Sequence, residues 1–133
     1  MRSRSILVAA CATIALSVPA AASADSTGTV AGLRAQVQRL ITAELGGDAA
    51  TVCAILNAPL NGTIKGVPCT TRWDAKLARL KHAGRHRLHA DMAAVPAAGV
   101  SSDGTYASIT LPHPLLHGQS KFYWTDNCWM LMG

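Results

Sequence analysis

Aromatic residues make up only 5% of this 133-residue chain and charged residues 14%, with a single Phe present. A nucleic-acid surface gathers positive charge on one face and interleaves it with aromatics. Here the charges are spread along the chain except over residues 79–89, so nucleic acid is not expected as a partner. Also lacking is an apolar run of about 20 residues, the length that a membrane-spanning helix requires. The longest run, Ile6 to Val18, follows Arg2 and Arg4 and precedes Ala22-Ser23-Ala24. That is the order of a secretory signal peptide: a basic start, a short apolar stretch and a small-residue cleavage site. Residues 1–24 are therefore read as a signal and residues 25–133 as one soluble domain, secreted or extracytoplasmic. Val8-Ala9-Ala10-Cys11 resembles a lipobox, but the apolar stretch continues past it, which disfavours a lipoprotein anchored through Cys11. Nothing after Ala24 forms a trustworthy catalytic or cofactor motif, so no cofactor is expected. Without Arg2 and Arg4 the formal charge falls from +5 to +3, a mild basic excess.

Cysteine is sparse too, with four in the chain. Cleavage removes Cys11 and leaves Cys53, Cys69 and Cys128 in a compartment where disulfides persist. Cys53 and Cys69 enclose a short connection containing Asn, Gly and Pro, easily closed, and a bridge there would stabilise by roughly 3 kcal/mol through loop-closure entropy. A metal site needs Cys or His at close spacing, and neither cysteine has such a companion. Cys53 and Cys69 are thus paired as a structural disulfide. Cys128 is left as a free thiol or as an intermolecular bridge in a homodimer.

What is abundant is apolar residues, 50% of the chain, arranged in periodic segments. Val30, Leu33, Val37, Leu40 or Ile41, and Leu45 recur at helical spacing behind a Ser26 or Thr27 cap and ahead of Gly46-Gly47. Asp48 opens a second, shorter helix through Val52, Cys53, Ile55 and Leu56, ended by Pro59. Residues 58–68 read as a loop with a turn at Asn61-Gly62. Thr71-Arg72-Trp73-Asp74 is a weak capping box for a third helix that buries Trp73, Leu77 and Leu80, with Gly84 as its stop.

From Arg85 the pattern changes. Leu88, Ala90, Met92 and Ala94 alternate with Arg87, His89 and Asp91, the period of a half-buried strand. Ser102-Asp103-Gly104 turns into a second strand over Thr105–Leu111. Residues 119–125 and 128–132 form two more, joined by Asp126-Asn127 as a two-residue hairpin loop. That loop length sets Thr125 opposite Cys128, Trp124 opposite Trp129, Tyr123 opposite Met130 and Phe122 opposite Leu131. Phe122, Trp124, Trp129 and Leu131 then share the core face, and Cys128 points away from it.

Three helices followed by four strands ending in an aromatic hairpin resemble the nuclear-transport-factor-2-like, or cystatin-like, superfamily. The resemblance covers nearly all of residues 28–132. It rests on Val52-Cys53-Ala54-Ile55-Leu56 before the loop, the second cysteine at Cys69, and Asp126-Asn127-Cys128-Trp129 at the closing turn. It implies an α+β fold, N-terminal helices packed on a curved antiparallel sheet of about four strands, cone-like. It also implies a disulfide tying the second helical segment to the start of the next.

Function is read as a non-enzymatic secreted or cell-envelope module that binds a small apolar ligand or an envelope protein. Trp73, Met92, Phe122, Trp124 and Trp129 are the candidate lining, although the same residues must also build the core. An alternative is an acid/base enzyme of the cone type using His89, Asp91 and Tyr123, should the strand register be inverted by one. A second alternative is a disulfide-linked interaction protein through Cys128. His82, His86 and His89 tempt a metal reading, because His at i and i+4 on a helix binds zinc. Gly84, placed as a helix stop, separates His82 from His86, so no metal is expected. His113 and His117 fall in a Pro-bounded loop with no nucleophile nearby in sequence.

Overall fold

The computed structural model describes residues 28–56, 63–64, 66–115 and 120–132. The signal-peptide reading, Cys11, the Asn61-Gly62 turn, Pro59 and His117 lie outside the described residues.

Helix α1 (Val30–Gly46) starts at Thr29, whose hydroxyl accepts the Gly32 N–H at 3.0 Å. The cap is thus a few residues later than Ser26 or Thr27. The helix ends where Gly47, at φ 70, takes the left-handed conformation that side chains resist. Helix α2 (Ala49–Ile55) is capped by Asp48 as expected, its carboxylate accepting the Thr51 N–H at 3.1 Å. Two short strands, β1 (Thr63–Ile64) and β2 (Val67–Pro68), pair around Gly66 at φ 77, so the expected loop contains a small antiparallel ladder. Helix α3 (Cys69–Ala78) begins two residues before the Thr71 box and has no side-chain cap. Cys69, Trp73 and Leu77 line its buried face at a spacing of four. Cys53 and Cys69 are joined, with Cα atoms 6.1 Å apart, and the bridge fastens α2 to the first residue of α3.

The largest departure from the sequence pattern is α4 (His82–Ala94), a helix where a strand was expected. The apparent alternation was carried largely by Ala90 and Ala94, and alanine is the strongest helix former. No β-branched residue occurs between His82 and Ala94 to favour a strand. Gly84 does not stop a helix but sits inside the first turn of α4. A Cβ there would lie 2.7 Å from Leu80 Cδ1, so glycine admits the Leu80 side chain between α3 and α4. The chain leaves α4 through a 3₁₀ turn at Val95–Ala97 containing Pro96. The Arg34 guanidinium of α1 donates to Val95 O at 2.6 Å and Ala98 O at 2.8 Å. A cation is thereby placed on carbonyls at a helix C-terminus, where the backbone dipole is negative.

Four strands follow: β3 (Val100–Ser102), β4 (Tyr106–Ile109), β5 (Lys121–Thr125) and β6 (Cys128–Leu131). They form an antiparallel sheet in sequence order. The fold is α+β, helices followed by a four-stranded antiparallel sheet. Asp126 and Asn127 both have positive φ, 50 and 59, the two-residue turn whose twist suits a hairpin. Phe122 pairs with Leu131, Tyr123 with Met130, Trp124 with Trp129 and Thr125 with Cys128, the register the loop length dictates. Phe122, Trp129 and Leu131 are buried against the helices beside Ala107 and Ile109, while Trp124 is half-buried and meets Trp129 edge-on. Gly28 crosses these rings so closely that a Cβ would fall inside the van der Waals radius of both Trp129 and Trp124.

β6 is an edge strand, and α1 covers it. Gln36 donates to Trp129 O at 2.7 Å, and the Trp129 indole N–H donates to Thr29 O at 3.0 Å. Cys128 alternates away from Trp129 yet is only 3% exposed, because Gln36 reaches over it, with Nε2 3.6 Å from Sγ. No described cysteine is free, Cys128 included. That corrects the picture of a solvent-facing thiol.

Candidate functional site

Two arrangements of polar groups stand out. The first is internal, between α1, α3 and α4. Leu33, Val37 and Leu40 define the core stripe of α1, and the next position on that stripe is Glu44. Its side chain is 1% exposed, and among the described residues neither carboxylate oxygen has a hydrogen-bond donor. On α4 the corresponding stripe is Leu88, Asp91, Val95, and Asp91 is likewise 1% exposed. Asp91 accepts the His113 backbone N–H at 2.9 Å, which ties the segment after β4 to α4.

Burial governs the electrostatics. Loss of water pushes the Glu44 carboxyl up to about 7; the Lys76 ammonium opposes this and the Asp91 charge adds to it. Asp91 is also raised by burial, against the His113 backbone N–H and imidazole. Lys76 lies with Nζ 4.5 Å above the Trp73 ring, and its partial burial lowers its affinity for a proton while Glu44 raises it. Glu44 therefore exchanges its proton near neutral pH, from inside the fold.

The second arrangement is on the sheet. Ser101 pairs with Ser108, and Ser108 with Lys121, so these three form a polar row on the face opposite Ala107 and Phe122. Beside it runs a second row, Tyr106, Tyr123 and Met130, in register across β4, β5 and β6. An open groove of about 470 Å³ is lined by Ser101, Ser102, Asp103, Tyr106, Ala107, Ser108, Lys121, Phe122 and Met132. Tyr106 is 57% exposed and Met132 is also exposed, giving the groove apolar walls. Asp103 is committed to its turn, where it accepts the Thr105 and Tyr106 N–H groups at 2.8 and 2.7 Å; these bonds hold its carboxyl below the usual range.

The residues singled out in the sequence are distributed differently. Trp73, Phe122 and Trp129 are buried in the core, with Met92 and Trp124 packed against it. Of the five, Phe122 also lines the groove. His89 and Asp91 face opposite ways, because residues two apart on a helix diverge by about 200°: His89 is exposed, Asp91 is buried, and Tyr123 is half-buried on the sheet. The proposed His89/Asp91/Tyr123 constellation depended on a strand and is not assembled. The buried end of the α1 stripe is Glu44, not Leu45. The i, i+4, i+7, i+11 run Leu33, Val37, Leu40, Glu44 was the signal that pointed to it.

No family model, no curated protein and no solved structure matches this chain.

Proposed function

We propose that this protein works outside the cytoplasm as a non-enzymatic binding module for a small, largely apolar ligand, held in the groove on the outer side of the sheet. The observation that carries this reading is the juxtaposition of exposed Tyr106 and Met132 with the Ser101, Ser108 and Lys121 row around one opening of ligand size. The hydrocarbon part would lie against Tyr106 and Met132. The hydroxyls and the Lys121 ammonium would orient a polar or anionic end. An intramolecular disulfide at Cys53–Cys69, and the lack of any described helix long and apolar enough to cross a membrane, accord with the extracytoplasmic setting. The signal-like start of the sequence supports the same setting.

The test is a chemical-shift titration of the ¹⁵N-labelled protein with a panel of aliphatic and aromatic carboxylates. Shifts are expected to cluster at Ser101–Ser108, Lys121 and Met132. Tyr106→Ala is expected to weaken the best ligand by about tenfold, the order of one buried aromatic contact, with the melting temperature unchanged. Shifts spread over the helices, or an affinity indifferent to Tyr106→Ala, would refute the groove as the site.

A further inference from the structure

The continuity of α4 alters the standing of its histidines. With Gly84 inside the first turn, the Arg85 N–H donates to Lys81 O at 3.0 Å, and the helix runs unbroken from His82 to Ala94. His82, His86 and His89 thereby occupy positions i, i+4 and i+7, within about 60° of one another around the axis. All three are exposed.

We infer that His82 and His86 form a surface chelate for a divalent transition-metal ion of the zinc, copper or nickel type. Side chains four apart on a helix have Cβ atoms about 5–6 Å apart, which lets two imidazoles converge on one ion at metal–nitrogen distances of about 2.0–2.1 Å. A donor set of imidazole alone selects these metals over calcium or magnesium, which take oxygen ligands. Among the described residues, no three His, Cys, Asp or Glu side chains already stand together as a metal site. The chelate is therefore the two-histidine pair, with water filling the remaining positions, because His82 and His89 stand about 10.5 Å apart along the axis.

The neighbouring charges give this site a distinguishing property. Arg79, Lys81, Arg85 and Arg87 surround the stripe, and the Arg85 guanidinium is drawn toward α1, where it donates to Leu45 O at 3.0 Å. Their repulsion of a dication is screened by salt, so metal affinity should rise with ionic strength. A polyanion bound to the same basic stripe would behave in the opposite sense.

The experiment is calorimetric titration of the untagged protein with Zn(II) and Ni(II), at low and at high chloride concentration. Saturable binding that tightens with salt is expected. His82→Ala and His86→Ala should each weaken it by more than about tenfold, because even the loss of a group that merely supports a ligand costs about 10–100-fold. His89→Ala should cost less, and His113→Ala should change nothing. Circular dichroism of the His82, His86 and His89 variants should match the parent, since those side chains are exposed. Absence of binding, binding unchanged in both His82→Ala and His86→Ala, or loss in His113→Ala instead would overturn the assignment.

Discussion

Glu44→Gln is expected to remove a pH dependence of stability worth about 3 kcal/mol between about pH 4 and pH 8. In the unfolded chain the carboxyl titrates near its ordinary value of 4.5, and in the folded protein near 7. The folded state therefore holds a proton that the unfolded state releases across that interval. The stabilising effect is complete below the unfolded value and is lost as pH rises through the folded one. Above it, a charged carboxylate sits buried, attracted by Lys76 and repelled by Asp91. Asp91, raised in the same direction, adds to the loss at high pH. Asp48 is lowered by its bonds to Thr51 and acts in the opposite sense, losing stability as pH falls through its folded value. Comparing parent and variant at each pH cancels Asp48, whereas Asp91 and Lys76, which feel the Glu44 charge, enter the difference together with it. Urea midpoints across the range should show the parent weakening with pH and Glu44→Gln gaining on it, most at pH 8. Parallel curves would mean that Glu44 is solvated in the folded protein. Glu44→Leu should match the glutamine variant in pH dependence, which separates loss of the ionisable group from loss of a polar contact.

Replacing Cys53 and Cys69 together by Ser is expected to cost about 3 kcal/mol, lowering the melting temperature by about 10–20 °C. The bridge spans a sequence separation of 16 and closes the segment that carries β1 and β2. Without it, α2 is a seven-residue helix whose position relative to α3 depends on packing alone, and a helix that short is marginal in water. Both sulfur atoms belong to the buried cluster, so the serine hydroxyls add a modest desolvation cost. The double replacement is more informative than a reductant, because it removes this bridge alone and leaves Cys128 untouched. Thermal unfolding followed by circular dichroism is the measurement. A shift of only a degree or two would show that the contacts between α2 and α3 hold the segment without the covalent tie.

Where several local signals coincided, the sequence was legible. Asp48 is both a good cap and the first polar residue after a glycine pair, and it caps α2 through Thr51. Asp126-Asn127 tolerates positive φ, and a two-residue loop leaves no freedom in register, so all four cross-strand pairs of the hairpin could be read directly. Where one signal had to stand alone, it was ambiguous. The alternation of Leu88, Ala90, Met92 and Ala94 fits a strand only if alanine counts as apolar, and alanine is equally at home on any side of a helix. Gly84 was read by its usual role as a stop, whereas its reason for being there is the Leu80 side chain, a neighbour from the preceding segment. Asp91 accordingly lies on a helix and not on a strand, and Glu44 instead of Leu45 ends the buried stripe of α1.

By itself, the sequence determined the α2 cap and the closing hairpin, because each depends on backbone preferences acting within a few residues; the Cys53–Cys69 bridge, because a separation of 16 is easily closed; and the class of fold, through the order of its helical and alternating segments. Tertiary structure decided the rest. Desolvation depends on what packs from elsewhere in the chain, so only the meeting of α1, α3 and α4 could make Glu44 a buried acid with its affinity for protons raised. Only the pairing of β4 with β5 could set Tyr106 beside Tyr123 and Ser108 beside Lys121 on one open face. Cys128 shows the same division: its alternation away from Trp129 was evident in the sequence, but its burial depends on Gln36, 92 positions away along the chain.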